Sequence, residues 1–166
     1  MVGQSRVERF EELVNVHGED IANYLRRRCF PLPLADVGDL VEETLIIVWR
    51  RLDELSEDAL FPWTMGVARN VLRNAKRSLR RRIHYESSVR VQGAVAPAEE
   101  FVVANESIRT ALMALGERER EVLTLHFWDG LSAEEIGVSL SISSRAAAVA
   151  LSRAQQHLRA LMGEET

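Results

Sequence analysis

The chain has 166 residues, enough for one domain or two small ones, with an ordinary apolar fraction of 46% and charges of both signs. Its net charge of −4 excludes a general polycation, so any nucleic-acid contact must use local patches. A single cysteine, Cys29, excludes an internal disulfide and a cysteine metal cluster, and no apolar run reaches the length of a membrane span.

The charge is unevenly placed. Residues 1–84 hold 14 Lys and Arg against 13 Asp and Glu, whereas residues 85–166 hold 7 against 12. Of the 21 Lys and Arg, Lys76 is the one lysine, a bias that hints at a GC-rich genome. The opening MVGQSRVERFEE carries charges where a signal peptide needs an apolar core, so a reducing cytosol is the expected setting.

Ser5 and Glu8 make a capping box that opens the first helix. Val7, Phe10, Leu13, Val14, His17, Ile21, Tyr24 and Leu25 recur at three- and four-residue steps. On that face His17 reads as a core histidine. The helix closes on Arg26, Arg27 and Arg28 before Pro31 and Pro33, a cationic last turn that suits the helix dipole.

Asp36 is the expected cap of a second helix reaching Leu52. Val37, Leu40, Val41, Thr44, Leu45, Val48 and Leu52 form its apolar stripe. Asp39, Glu42, Glu43, Ile46 and Arg50 form another, with Ile47 beside them. Acids and isoleucines sharing an outer face suit a partner surface; a solvated face over a deeper core is the competing reading.

Residues 53–60 read as an acidic connector, and Pro62 as the first turn of a helix running to about Ile83. Met65, Ala68, Leu72, Ala75 and Leu79 make its apolar stripe. Arg69, Arg73, Lys76 and Arg80 lie one residue on, about 100° round the helix. Arg77, Arg81 and Arg82 add to them, Asn70 and Asn74 lie beside them, and Trp63 stands near the start. So many cations almost without acids exceed what a helix dipole needs. With an aromatic and amides nearby they suit a polyanion, particularly a single strand whose bases can stack.

Residues 85–104 break the periodicity and contain Gly93 and Pro97, so they read as a linker. A helix from about Asn105 leads into Arg118–Trp128, which stops at Asp129-Gly130. Ser132 and Glu135 cap a short helix ending near Leu140, Ser141–Ser143 is a turn, and a last helix runs from Ser144 to Leu161. Ala147, Leu151, Ala154, Leu158 and Leu161 share one face of it. A short capped helix, a tight turn and a longer helix match a helix-turn-helix; a ligand-free helical hairpin has the same spacing. The last helix is poor in cations at its front, which argues for weak DNA binding alone.

Three segments together resemble the extracytoplasmic-function group of bacterial sigma factors, in the sigma-70 family. They are Asp39-Leu40-Val41-Glu42-Glu43-Thr44 with Val48-Trp49-Arg50-Arg51-Leu52, Phe61–Arg82 with Trp63 and Ala68-Arg69-Asn70, and Leu115–Leu161 with its R-E-V-L and G-L-S-x-x-E-I-G runs. The resemblance implies an all-α chain of two small helical domains, a sigma-2-like bundle over 1–84 and a sigma-4-like helix-turn-helix domain over 105–166, joined by the linker 85–104. It implies binding to RNA polymerase core through Asp39, Glu42, Glu43, Thr44, Ile46 and Trp49. Residues 53–62 fall where the group captures a flipped base of the −10 element. Trp63, Arg69, Asn70, Arg73, Lys76 and Arg77 fall where promoter −10 DNA is held. Ser143, Ser144, Arg145, Ala148 and Arg153 fall in the helix that reads the −35 element. The group commonly shows T-V-K-S-R-L where this chain has Ala146-Ala147-Ala148-Val149-Ala150-Leu151, so Ala148 and Ala150 replace a Lys and an Arg and weaken the expected −35 readout.

The implied partners are RNA polymerase core and promoter DNA, with an anti-sigma factor as a further candidate. No cofactor, metal, small-molecule substrate or membrane insertion is expected, and no nucleophile, phosphate loop or ligand spacing points to an enzyme. Two other readings share some of these features. A LuxR-type regulator also has R-E-R-E-V-L and L-S-x-x-E-I, but leaves the first half unexplained. A degenerate sigma-like adaptor would bind polymerase or an anti-sigma factor without reading promoters.

Overall fold

The computed structural model describes residues 5–87 and 105–163. Seven α-helices and two short 3-10 turns make up the regular structure there, with no strand among the described residues. The chain divides into two compact units near residue 100. None of the described helices is long and apolar enough to cross a membrane.

The first unit contains α1 (Arg6–Arg28), α2 (Val37–Arg51) and α3 (Glu57–Ser87), each packed on the other two. The capping box at Ser5 and Glu8 is present, with Ser5 N donating to Glu8 Oε2 at 2.8 Å. Leu13, Ile21 and Leu25 of α1, Leu40 and Val48 of α2, and Met65, Ala68 and Leu72 of α3 form the core. Two threonines are buried with them. Thr44 Oγ1 donates to the Leu40 carbonyl at 2.7 Å and Thr64 Oγ1 to the Leu60 carbonyl at 2.8 Å. Each thus satisfies its hydroxyl within its own helix at little cost.

Five expectations change here. Val7 is exposed and does not join the core. His17 is half-buried, with its ring stacked on Phe61 at 3.9 Å and its Nδ1 3.2 Å from Asp20, so it lies on the rim of a groove. Asp36 makes no side-chain cap, because Leu34–Asp36 already turn as a 3-10 helix and give Asp36 helical dihedrals. Pro62 lies inside α3 rather than in its first turn. The helix starts after Ser56 on Glu57 and Asp58, whose acids suit a helix N-terminus, and the buried Pro62 leaves it one backbone bond short. At the other end α3 continues to Ser87, three residues into the segment read as linker; residues 88–104 lie outside the described ones.

The second unit contains α4 (Glu106–Ala114), α5 (Glu117–Phe127), α6 (Ala133–Leu140) and α7 (Ser144–Leu161), with α7 packed on the other three. Gly130 has φ +71°, as the stop after α5 requires. Ser132 and Glu135 form the expected capping box. Ala147, Leu151 and Ala154 are buried, whereas Leu161 is exposed at the end of α7. Arg120 braces the unit from α5, donating to the Leu112 carbonyl at 3.0 Å and the Leu115 carbonyl at 2.8 Å.

The turn between α6 and α7 depends on Gly137. Ser141 takes the left-handed conformation at φ 55°, and Ile142 N donates to the Gly137 carbonyl at 2.9 Å. A Cβ on Gly137 would stand 3.0 Å from the Ile142 carbonyl oxygen and 3.2 Å from Ser144 N, both backbone atoms. Gly137→Ala is therefore expected to destabilise this unit by about 1–2 kcal/mol, after overpacking is set against the better helix propensity of Ala. Thermal unfolding should show Tm lower by about 4–8 °C per kcal/mol for a unit of this size. A raised Tm would mean that the turn yields easily.

Candidate functional site

On α2 the outer face carries Asp39, Glu42, Glu43, Ile46 and Arg50, all exposed. At 100° per residue they span roughly a 100° arc. Ile46 is 52% exposed at its centre, ringed by three acids. Thr44 does not belong to this face. It is fully buried on the opposite side, with its hydroxyl committed to the Leu40 carbonyl, because steps of four residues put it on the same helix face as Leu40 and Val48. Trp49 sits at the border, half-buried beneath Phe10 at 5.1 Å edge-on and the Arg6 guanidinium at 4.5 Å. It fixes α2 on α1 and offers a partner one edge at most.

Between α2 and α3 runs a connector that opens as a 3-10 turn, Leu52–Glu54. Leu52 is buried beneath it, whereas Asp53, Glu54 and Ser56 are exposed. Arg6 and Arg9 reach it from α1. Arg6 pairs with Asp53 at 2.9 Å and donates to the Trp49 carbonyl. Arg9 donates to the Leu52 carbonyl at 3.2 Å and the Leu55 carbonyl at 2.9 Å, and its Nε pairs with Glu57.

Along α3, Arg69, Asn70, Arg73, Lys76 and Arg77 fall on one side of a single continuous helix, within roughly a third of its circumference. Asn70, Arg73 and Arg77 are exposed, while Arg69 and Lys76 are half-buried and each engaged in an interaction within the fold. Trp63 is half-buried about two turns earlier. No Asp or Glu occurs between Asp58 and Glu86, so the face carries an undiluted positive field. The last residues, from Arg80 to Glu86, are exposed all round.

In α7 the outward stripe is Arg145, Val149, Ser152 and Gln156, with Ser144, Ala148 and Arg153 flanking it, all exposed. Ser143 is the N-cap, its Oγ accepting from Ala146 N at 3.1 Å, so its hydroxyl is partly committed to the helix. Val149 is 44% exposed. Ser152 and Gln156 escaped the sequence reading. The spacing from Arg145 at steps of four, three and four was the available signal. Far along α7, His157 Nδ1 lies 3.0 Å from Glu119 of α5. That hydrogen bond holds the Glu119 carboxyl below the usual carboxylate range, aided by the Gly116 backbone N–H. It ties α7 to the start of α5 and helps set the tilt of the helix.

Residues 13–82 match the family described as sigma-70 region 2, and residues 105–158 the one described as sigma-70, region 4. The chain is 30% identical over 163 residues to the RNA polymerase sigma factor NccH of Alcaligenes xylosoxydans xylosoxydans, covering 92% of this chain and 86% of that protein. It is 31% identical over 158 residues to the sigma factor CarQ of Myxococcus xanthus, covering 93% and 90%. Its structure matches that of CnrH in complex with the cytosolic domain of CnrY with a TM-score of 0.59 and 26% identity, covering 99% of this chain and 92% of CnrH. A region 2 match across the first unit sets aside the LuxR-type reading, which has no use for it. The chain belongs to the sigma-70 family of RNA polymerase sigma factors, in its extracytoplasmic-function group.

Proposed function

We propose that the chain binds RNA polymerase core through Asp39, Glu42, Glu43 and Ile46 on α2 and brings it to promoters. Residues 53–62 and the basic face of α3 capture the exposed strand of a −10 element, and α7 contributes a weak −35 contact. The work is recruitment and strand capture in the cytoplasm, with no covalent step. The observation that carries this reading is the acid-free basic face of α3, with Trp63 leading into it. Cations there neutralise phosphates while an aromatic stacks an unpaired base. Extruding a base costs a few kcal/mol, least for one already unpaired, so capture suits a strand the polymerase is opening.

The deciding experiment is transcription from a pool of promoter fragments by purified core polymerase, with and without this protein. Initiation at particular sequences that requires the protein supports the reading. Core binding without initiation would instead make it an adaptor, a role favoured by the alanine-rich front of α7. CnrH is seen in complex with a second protein, the cytosolic domain of CnrY, so a protein that binds the sigma factor itself is a further proposed partner here, an anti-sigma factor being the candidate that the family resemblance offers.

The alanines of α7 carry their own test. Ala148 is exposed on one flank of α7, and Ala150 is half-buried on the opposite flank beside the buried face, so a long side chain at either position can carry its charge out to solvent. Ala148→Lys with Ala150→Arg is expected to raise promoter affinity about tenfold and to steepen its salt dependence by nearly two phosphate contacts. Titration of promoter duplex with the holoenzyme at several salt concentrations measures both. Unchanged affinity and slope would place this face away from DNA.

A further inference from the structure

We infer that Arg9 is a positioning residue for −10 base capture: from α1 it holds the α2–α3 connector in the shape that receives the extruded base. The inference rests on the assignment of residues 53–62 to that capture. Its basis is geometric. One guanidinium, with its side chain only 15% exposed, spans the connector at three points. It donates to the Leu52 carbonyl at 3.2 Å, where the 3-10 turn begins, and to the Leu55 carbonyl at 2.9 Å, where the chain leaves that turn extended. Its Nε pairs with Glu57, the first residue of α3.

Between those points Asp53, Glu54 and Ser56 face solvent, and the backbone bond from Leu55 N to the Leu52 carbonyl is a long 3.3 Å. Leu52 is buried and Arg51 pairs with Glu54 at 2.6 Å, but neither contact joins the exit of the turn at Leu55 to the start of α3, as Arg9 does. Arginine suits the task because its planar fork fixes several acceptors at set angles, which a lysine ammonium does not. Arg6 adds a second tie through Asp53 and through Trp49, whose ring it covers. Arg9 itself lies in α1, outside the connector and the basic face of α3. It acts through the connector's backbone. A binding pocket displaced by even about 1 Å loses much of its selectivity.

The test uses core polymerase reconstituted with the full chain and fork-junction DNA randomised over the −10 segment. The wild-type holoenzyme selects a sequence. Four fork junctions differing at the extruded base then give its base-preference ratio. Arg9→Met is expected to cut that ratio at least about threefold and strand affinity about tenfold, with core assembly unchanged. The salt slope should also stay unchanged, whereas loss of a direct phosphate contact on a single strand lowers it by about 0.7.

Arg9→Lys keeps the charge and the aliphatic stem, so it remains foldable if Arg9→Met is not, and it should flatten the preference in the same way. A preserved ratio in either folded variant overturns the inference. A reduced salt slope in Arg9→Met also overturns it, by making Arg9 a phosphate ligand. A lowered Tm with an intact ratio would reduce Arg9 to a structural role. If the wild-type holoenzyme selects no sequence at all, the capture assignment itself fails, and that outcome is seen before any variant is made.

Discussion

Arg69→Ala with Arg73→Ala is expected to abolish open-complex formation while leaving core binding intact. In the proposed capture of the −10 strand each arginine would supply a charge-assisted contact to phosphate, and such bonds contribute about 1.5–3 kcal/mol apiece. Removing two should lower strand affinity by about 100-fold or more. The helix itself should survive. Alanine is the best helix former, Arg73 is exposed, and the buried face of α3 is Met65, Ala68, Val71 and Leu72, which the substitutions do not touch. Arg69 is half-buried and engaged in an interaction within the fold, so a small loss of Tm is expected from it alone. Strand opening is followed by the reactivity of unpaired thymines, and core binding by co-migration of polymerase with the variant. Loss of core binding would refute the separation of the two faces on α2 and α3.

Those two faces were readable in the sequence because each rests on periodicity alone. Asp39, Glu42, Glu43 and Ile46 recur at helical steps out of phase with Leu40 and Val48, and Arg69, Arg73 and Lys76 out of phase with Ala68 and Leu72. The helix-turn-helix was legible for a different reason. Gly130 is a local stop signal, and the Ser132–Glu135 capping box and the Ser143 cap are local signals whose hydrogen bonds close within three residues. What escaped was whatever depends on contacts distant in sequence. Arg6 and Arg9 look like ordinary first-turn charges until α1 is laid against residues 49–57. Val149 and Ser152, by contrast, lie opposite Ala147, Leu151 and Ala154, so their outward placement on α7 follows from periodicity alone.

Motif and position diverge at Thr44, which falls among the polymerase contacts by motif and with Leu40 and Val48 by its phase on α2. Proline favours first turns, yet Pro62 lies inside α3, because the acids at Glu57 and Asp58 mark an earlier start.

Thr44 therefore distinguishes a polymerase contact through the buried side of α2 from one through its outer face. Glu43→Arg with Ile46→Arg is expected to lower affinity for polymerase core at least about 100-fold. The pair removes the exposed apolar centre and reverses a neighbouring charge, so an acceptor surface that fits acids and an isoleucine meets two cations instead. Both sites are exposed, so unfolding stability should stay within about 1 kcal/mol of wild type. Thr44→Val is the contrasting change. It deletes a hydroxyl bonded at 2.7 Å to the Leu40 carbonyl inside the core, and is expected to cost about 1 kcal/mol of stability with core affinity unaltered. Binding of labelled protein to purified core, alongside thermal unfolding, reads both quantities. If Thr44→Val weakened core binding as much as the double substitution does, the contact would have to reach α2 through its buried side, and the outer face would lose its assignment.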